Sequence, residues 1–224
     1  MVVVIPAYQA EATLPALIRS IRPMGLPVIV VDDASFDRTG PAALAEGAVV
    51  LKREVNGGKG AALRQGFGEA LRQGYGWIIL MDADGQHVPS EIPRFLEAAQ
   101  REPVDLIVGN RMQDPRGMPL QRRVTNRVMS WFISRIAGQR VPDTQCGFRL
   151  VSRRLLEKIS LVSERFEIDS EMVIRAGWSG FRIASVPIAS IYRRETSFIH
   201  PFGDTVRFFR FLKRILTERR QRPS

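Results

Sequence analysis

A mostly parallel β-sheet covered by helices on both faces is the fold that this 224-residue chain predicts. Three observations predict it: short apolar runs recur through the first half, stretches of helical spacing separate them, and polar residues gather where the apolar runs end. Strands that alternate with helices pair in parallel, because each helix returns the chain across a face of the sheet. In such sheets ligands sit at the carboxyl ends of the strands.

The first strand, VVVIP at 2–6, runs into Pro6, Ala7 and Tyr8, with Glu11 close behind. EATLPALIRSI at 11–21 has helical spacing, and VIVVDD at 28–33 is a second strand ending in Asp32 and Asp33. AVVL at 48–51 is the third strand, and KGAALRQGFGEALRQG at 59–74 the next helix. WIILMDAD at 77–84 is a fourth strand that delivers Asp82 and Asp84, followed by Gln86. PSEIPRFLEAAQ at 89–100 is helical, and DLIVGN at 105–110 is a fifth strand ending at Asn110 and Arg111. Four strands thus bring carboxylates or an arginine to one rim, a pattern that caps and turn formers alone do not explain.

The glycine cluster NGGKG at 56–60 resembles a phosphate cradle. A Walker A loop needs a hydroxyl after its lysine and a glycine five positions before the next. Gly60 follows Lys59, and Arg53 holds the earlier position, so the segment is a poor P-loop. Glycines leading into a helix N-terminus would still suit an anion.

The second half loses the alternation. LQRRVTNRVMSWFISRIA at 120–137 carries Val124, Val128, Trp131, Phe132 and Ile136 at helical spacing, with Arg122, Arg123, Arg127 and Arg135 among them. The segments 143–159 and 166–188 follow, and the tail 202–222 interleaves aromatic and aliphatic residues with arginines. No internal repeat or linker marks a boundary, so one domain spanning 1–224 is expected.

Composition bounds the function. At 45% hydrophobic the chain can bury one core, and no apolar run approaches the roughly 18 residues of a transmembrane helix. The start MVVVIPAY lacks a basic n-region and reads as a strand rather than a signal peptide. A lone cysteine, Cys146, allows no internal disulfide, which is compatible with a cytoplasmic location, peripheral on the inner face of the membrane. The net charge of +10 is uneven: ten basic against thirteen acidic residues through Asn110, and 23 against ten thereafter. The basic half should face phosphates, an acidic membrane surface or nucleic acid.

MDADGQH at 81–87 is the most specific feature. Two carboxylates spaced i, i+2 at a strand end can converge on a hard divalent cation that also holds phosphate oxygens, which suits Mg²⁺ or Mn²⁺. With it, VIPAYQAEATL, VVDDASFDRTG, NGGKGAALRQGF, GNR, DTQCGFRL and FEIDSEMVIRAG occur in the order and spacing of family 2 glycosyltransferases. The chain resembles above all the dolichyl- and polyprenyl-phosphate mannosyl- and glucosyltransferases, from Val2 to about Arg210.

That resemblance implies a GT-A fold, a Rossmann-like sheet with a basic helical C-terminal part. It implies a nucleotide-diphosphate sugar donor of the GDP-mannose or UDP-glucose type, a divalent metal, and inversion at the anomeric carbon. Residues 1–111 would form the nucleotide-sugar half, 112–200 the acceptor half and 201–224 a basic amphipathic helix. By resemblance, Pro6, Ala7, Tyr8 and Glu11 contact the nucleotide, and Asp32 and Asp33 hold base or ribose. Asp82, Ala83 and Asp84 form the D-x-D, with Asp82, Asp84 and Gln86 as metal-side residues and Arg111 toward the donor. Arg194, in YRRETSFIHPFGD, matches a basic segment that closes over the diphosphate, although Phe198 stands where a lysine is frequent. Lys59 is expected to flank the donor on its nucleotide side.

The implied acceptor decides whether a base is needed. A lipid monophosphate arrives largely ionised, whereas an alcohol requires a carboxylate within reach. Asp143, Asp169 and Glu171 are the candidates, Asp143 foremost. Cys146 is expected to pack rather than react, and His87 to support the acidic cluster from behind. The segments at 120–137 and 202–222 are expected on an anionic membrane surface, the place where a lipid-phosphate acceptor emerges. A sugar nucleotidyltransferase is the enzymatic alternative, but PAYQAEA stands where its glycine-rich loop would follow the first strand. A nucleic-acid-binding protein is another, yet no helix-turn-helix, zinc or RNP-like motif accompanies the charge. A sugar-nucleotide binder without turnover is a third, against which the intact D-x-D argues.

Overall fold

The computed structural model describes residues 1–189, Ile191 and 201–221. Two compact units result, Met1–Tyr192 and Arg193–Ser224. Among the described residues, the second contains the helix α8 (Pro201–Gln221).

The first unit is built on a seven-stranded sheet. Strands β1 (Val2–Ala7), β2 (Val28–Asp32), β3 (Val49–Lys52), β4 (Trp77–Leu80) and β5 (Leu106–Asn110) fall on the five apolar runs, and β6 (Arg149–Ser152) and β7 (Ile183–Pro187) complete it. The spatial order is β3-β2-β1-β4-β6-β5-β7, and only β6 runs antiparallel to its neighbours. The central strands are buried on both faces, as continuous Val/Ile runs require. The helices are α1 (Leu14–Ile21), α2 (Thr39–Ala45), α3 (Lys59–Arg72), α4 (Ile92–Arg101), α5 (Leu120–Ala137), α6 (Arg153–Lys158) and α7 (Glu167–Trp178), with single 3₁₀ turns before β2 and α4. This is the GT-A architecture that the sequence implied.

Two differences shape the site. β4 ends at Leu80, so Asp82 and Asp84 lie on the turn beyond the strand rather than in it. β6, absent from the sequence-based expectation, lies between β4 and β5, with Arg149 paired opposite both Leu80 and Val108. Because β6 runs the other way, its amino end meets the carboxyl ends of its neighbours. The loop 143–148 therefore crosses the rim to which β4 and β5 deliver Asp82 and Arg111.

Candidate active site

The rim collects charged side chains that are mostly paired with one another. At the end of β2, the Asp33 carboxylate accepts hydrogen bonds from the Gly57 and Gly58 amides (3.0 and 2.6 Å) and faces Arg53 Nε at 2.7 Å. Asp32 accepts from the Ser35 amide at 3.0 Å. Both aspartates are buried.

Asp33 thereby occupies the amides that a phosphate would have used at the start of α3. Gly58 adopts φ +85°, a left-handed conformation that favours glycine. A Cβ on Gly60 would lie 2.2 Å from the Ser163 carbonyl, and the Ala61 amide donates to the Glu164 carbonyl at 3.1 Å. The NGGKG glycines serve close packing of a helix end against the segment before α7.

Lys59, at the first turn of α3, was expected on the nucleotide side. Its ammonium lies instead between Asp82 Oδ1 at 2.7 Å and Asp169 Oδ2 at 2.8 Å. Burial alone would lower the Lys59 pKa, but the two carboxylates outweigh it and raise the pKa above the ordinary lysine value. Burial likewise pushes Asp82 up, and Lys59 with His87 outweighs it, holding the carboxyl well below the usual range. His87 Nε2 stands 3.6 Å from Asp82 Oδ2, and its ring packs on Phe148 with centroids 5.3 Å apart.

Asp82 also fits tightly against the loop before β6. A Cβ on Gly147 would lie 2.1 Å from Asp82 Oδ2, so only glycine accommodates the carboxylate there. Neither the Lys59 bridge nor the need for Gly147 was read from the sequence. Gly147 sits in the DTQCGFRL segment, 65 positions from Asp82, and no local sequence signal relates the two.

The three candidate bases are all engaged. Asp143 is fully buried and takes both arms of Arg111, Nε at 2.7 Å and Nη2 at 2.9 Å, besides the Arg111 amide at 3.1 Å. Asp169 is held by Lys59, and its other oxygen, without a hydrogen bond, lies 3.5 Å from Arg149 Nη2. Glu171 accepts from the Val162 and Ser163 amides and from Arg175 Nε at 2.7 Å. Arg149, buried in β6, donates to the carbonyls of Cys146, Thr144 and Asp169 and so fixes the loop 143–148. Cys146 is buried, and burial pushes its thiol up to about 12.

Of the expected nucleotide contacts, Pro6 and Ala7 close β1, and Tyr8 is partly exposed just beyond it. The Glu11 carboxylate accepts from the Arg38 amide at 2.8 Å. Ala83 is buried, its carbonyl accepting from Thr13 Oγ1 at 2.6 Å, which ties the D-x-D turn to α1. The Gln86 carbonyl accepts from the Ile191 amide at 3.0 Å. Arg194 lies outside the described residues.

Asp84 differs from its neighbours. One carboxylate oxygen accepts from the Gln86 amide at 2.9 Å, and the other has no protein partner among the described residues. No group of three or more His, Cys, Asp or Glu converges on one point among those residues. A cation held at Asp84 would therefore complete its shell with donor phosphates and water, the ligation that Mg²⁺ and Mn²⁺ accept. The donor set fits such an ion.

Beyond β5, α5 turns Asn126, Ser130, Ile133 and Ala137 inward. The Thr144 amide donates to Ser130 Oγ at 2.9 Å, which brings this face beside the Arg111–Asp143 pair. Near its start, Arg123 Nε and Asn126 Nδ2 are buried donors without a hydrogen-bond partner among the described residues.

Comparison with known proteins agrees with this architecture. The family described as glycosyl transferase family 2 matches residues 2–160. The polyprenol monophosphomannose synthase of Mycolicibacterium smegmatis is 32% identical over 221 residues, covering 92% of this chain and 82% of that protein. The UDP-N-acetylglucosamine–dolichyl-phosphate N-acetylglucosaminyltransferase of Methanococcus voltae is 30% identical over 212 residues, 84% of either chain. Among solved structures, glucosyl-3-phosphoglycerate synthase from Mycobacterium tuberculosis, with Mn²⁺, uridine diphosphate and phosphoglyceric acid, superposes with a TM-score of 0.74 at 23% identity, covering 99% of this chain and 78% of that one. The chain belongs to glycosyl transferase family 2 and resembles its polyprenyl-phosphate sugar transferases.

Proposed function

We propose that the protein transfers a sugar, with inversion, from a nucleotide-diphosphate sugar of the GDP-mannose or UDP-glucose type to a polyprenyl phosphate at a membrane surface. One observation carries the choice of acceptor: Asp143, Asp169 and Glu171 are all buried and ion-paired, so none is available to deprotonate an alcohol. A phosphate monoester brings its own negative oxygen and needs no base. The unpartnered donors Arg123 Nε and Asn126 Nδ2 suit that phosphate.

In the reaction, an oxygen of the acceptor phosphate forms a bond to the anomeric carbon as the bond to the donor's β-phosphate oxygen breaks. The nucleoside diphosphate leaves with the electron pair. Asp84, with Gln86 beside it on the turn, would hold the metal, which would supply charge stabilisation to the departing diphosphate, while Asp82 stays on Lys59. Arg111, oriented by Asp143, places a positive charge at the same rim. The Lys59 ammonium restrains Asp82 so that the turn presents Asp84.

Thermal melting with GDP, UDP, CDP and dTDP, each with and without Mn²⁺, tests the donor site, because a ligand that binds the folded form raises the midpoint. One nucleotide should give a Mn²⁺-dependent shift that Asp84→Ala removes. Incubation of its labelled sugar conjugate with undecaprenyl phosphate and with the free alcohol undecaprenol tests the acceptor. Transfer to the alcohol alone would refute the reading.

A further inference from the structure

Helix α5 presents two opposite faces, one buried and one exposed. The inward one is that of Asn126, Ser130, Ile133 and Ala137. The other carries Leu120, Val124, Val128, Trp131 and Phe132, each between 47% and 74% exposed. At 100° per residue these five fall within an arc of about 120°. They form a continuous stripe rather than scattered surface residues. Soluble proteins rarely leave such a stripe open without a partner.

The charges around it say what the partner is. α5 holds Arg122, Arg123, Arg127 and Arg135 and no acidic residue. Arg135 stacks over the Trp131 ring at 5.5 Å, within the stripe, and Arg127 borders it. A second copy of the chain meeting this face about a two-fold axis would set arginines against arginines, which opposes association. An anionic lipid surface satisfies both components: the apolar side chains enter the boundary of the acyl region while the arginines meet phosphate headgroups. Trp131 and Phe132, in edge-to-face contact at 4.8 Å, are residue types suited to that boundary.

We propose that the outward face of α5, centred on Trp131 and Phe132, docks the protein on an anionic membrane. The inference rests on the lipid-phosphate reading above and deepens it. The inward face of the same helix carries the unpartnered Arg123 and Asn126 donors, so docking sets them about one helix diameter, roughly 10 Å, from the headgroup plane. One helix then touches the bilayer with one side and the acceptor phosphate with the other.

The test uses the full chain and Trp131→Ser/Phe132→Ser, two exposed positions. Co-sedimentation with phosphatidylglycerol/phosphatidylcholine vesicles should show binding that the double variant weakens about tenfold or more and that pure phosphatidylcholine does not support. A short, water-soluble isoprenyl phosphate serves as acceptor in a vesicle-free assay. The variant should match the wild type there and fall behind only on undecaprenyl phosphate in vesicles. Equal sedimentation of both proteins, equal binding to neutral vesicles, or a wild-type dimer that the double variant dissociates would overturn the proposal. Failure of the wild type on the short acceptor would instead refute the lipid-phosphate reading, whatever the sedimentation shows.

Discussion

Replacing Gly147 by alanine tests how tightly the D-x-D turn is built. The new Cβ would sit 2.1 Å from Asp82 Oδ2 and 2.6 Å from its Cγ, where an ordinary contact needs about 3.4 Å. Asp82 can retreat by that difference only by lengthening its 2.7 Å contact with Lys59 past hydrogen-bonding range, leaving a buried ion pair broken at a cost of about 3–5 kcal/mol. The loop itself resists, since Arg149 holds the Cys146 and Thr144 carbonyls and the Gly109 amide donates to the Phe148 carbonyl at 2.9 Å. Overpacking of this kind costs about 1–3 kcal/mol. The easier of the two routes sets the expectation at about 2–3 kcal/mol, or a melting point lower by roughly 5–10 °C for a chain of this size. Urea unfolding should show the loss with an unchanged slope, and the Mn²⁺-dependent nucleotide shift should shrink as Asp84 moves with its turn. Gly68→Ala is the control: it lies within α3 with open space around it, so alanine there should stabilise by about 0.5–1 kcal/mol. A Gly147→Ala protein within about 0.5 kcal/mol of wild type, with its nucleotide shift intact, would refute the reasoning.

Lys59→Met should destabilise by about 3–5 kcal/mol in urea unfolding at neutral pH, because it leaves Asp82 and Asp169 facing one another without their shared cation. Arg111→Lys keeps the charge but loses the two-armed grip on Asp143, and about 2 kcal/mol should go with it, alongside a lower turnover number in the transfer assay. The Cys146 thiol should resist iodoacetamide at pH 8 in the native protein and react once urea unfolds it. Its raised folded pKa also means that stability held below the ordinary thiol value declines as pH climbs from about 8.5 toward about 12, and Cys146→Ala should flatten that decline.

Much of the first half of the chain was legible because its signals are local. The runs at 2–6, 28–33, 48–51, 77–84 and 105–110 each overlap a strand, and the polar residues after them mark the rim. β6 escaped because RLVS offers only four residues and no turn pattern that would reveal its direction. The partners of Lys59 escaped for another reason. Asp169 lies 110 residues away, and an ammonium that meets two buried carboxylates looks, in sequence, like any lysine on a glycine-rich turn. The helical spacing at 120–137 was visible, but spacing does not tell an inward stripe from an outward one. Here the residues that stood out, Val124, Val128, Trp131 and Phe132, face solvent, while the inward face is partly polar, with Asn126 and Ser130.

The reversed strand also governs how the chain assembles as it is made. β5 pairs with β6 and β7 but not with β4, so when residue 110 leaves the ribosome its strand has no neighbour to join. At roughly 5–20 residues per second, the residues up to β6 take about 2–8 seconds to synthesise. During that interval β1 to β4 can already be zipped together, with Asp82 and Lys59 side by side, while β5 and the nascent α5 wait. The first half is thus a template on which the later half closes, and β6 is the piece that joins them. A nascent chain arrested before residue 149 should remain open to proteases at 105–110 and become protected there only after β6 has emerged.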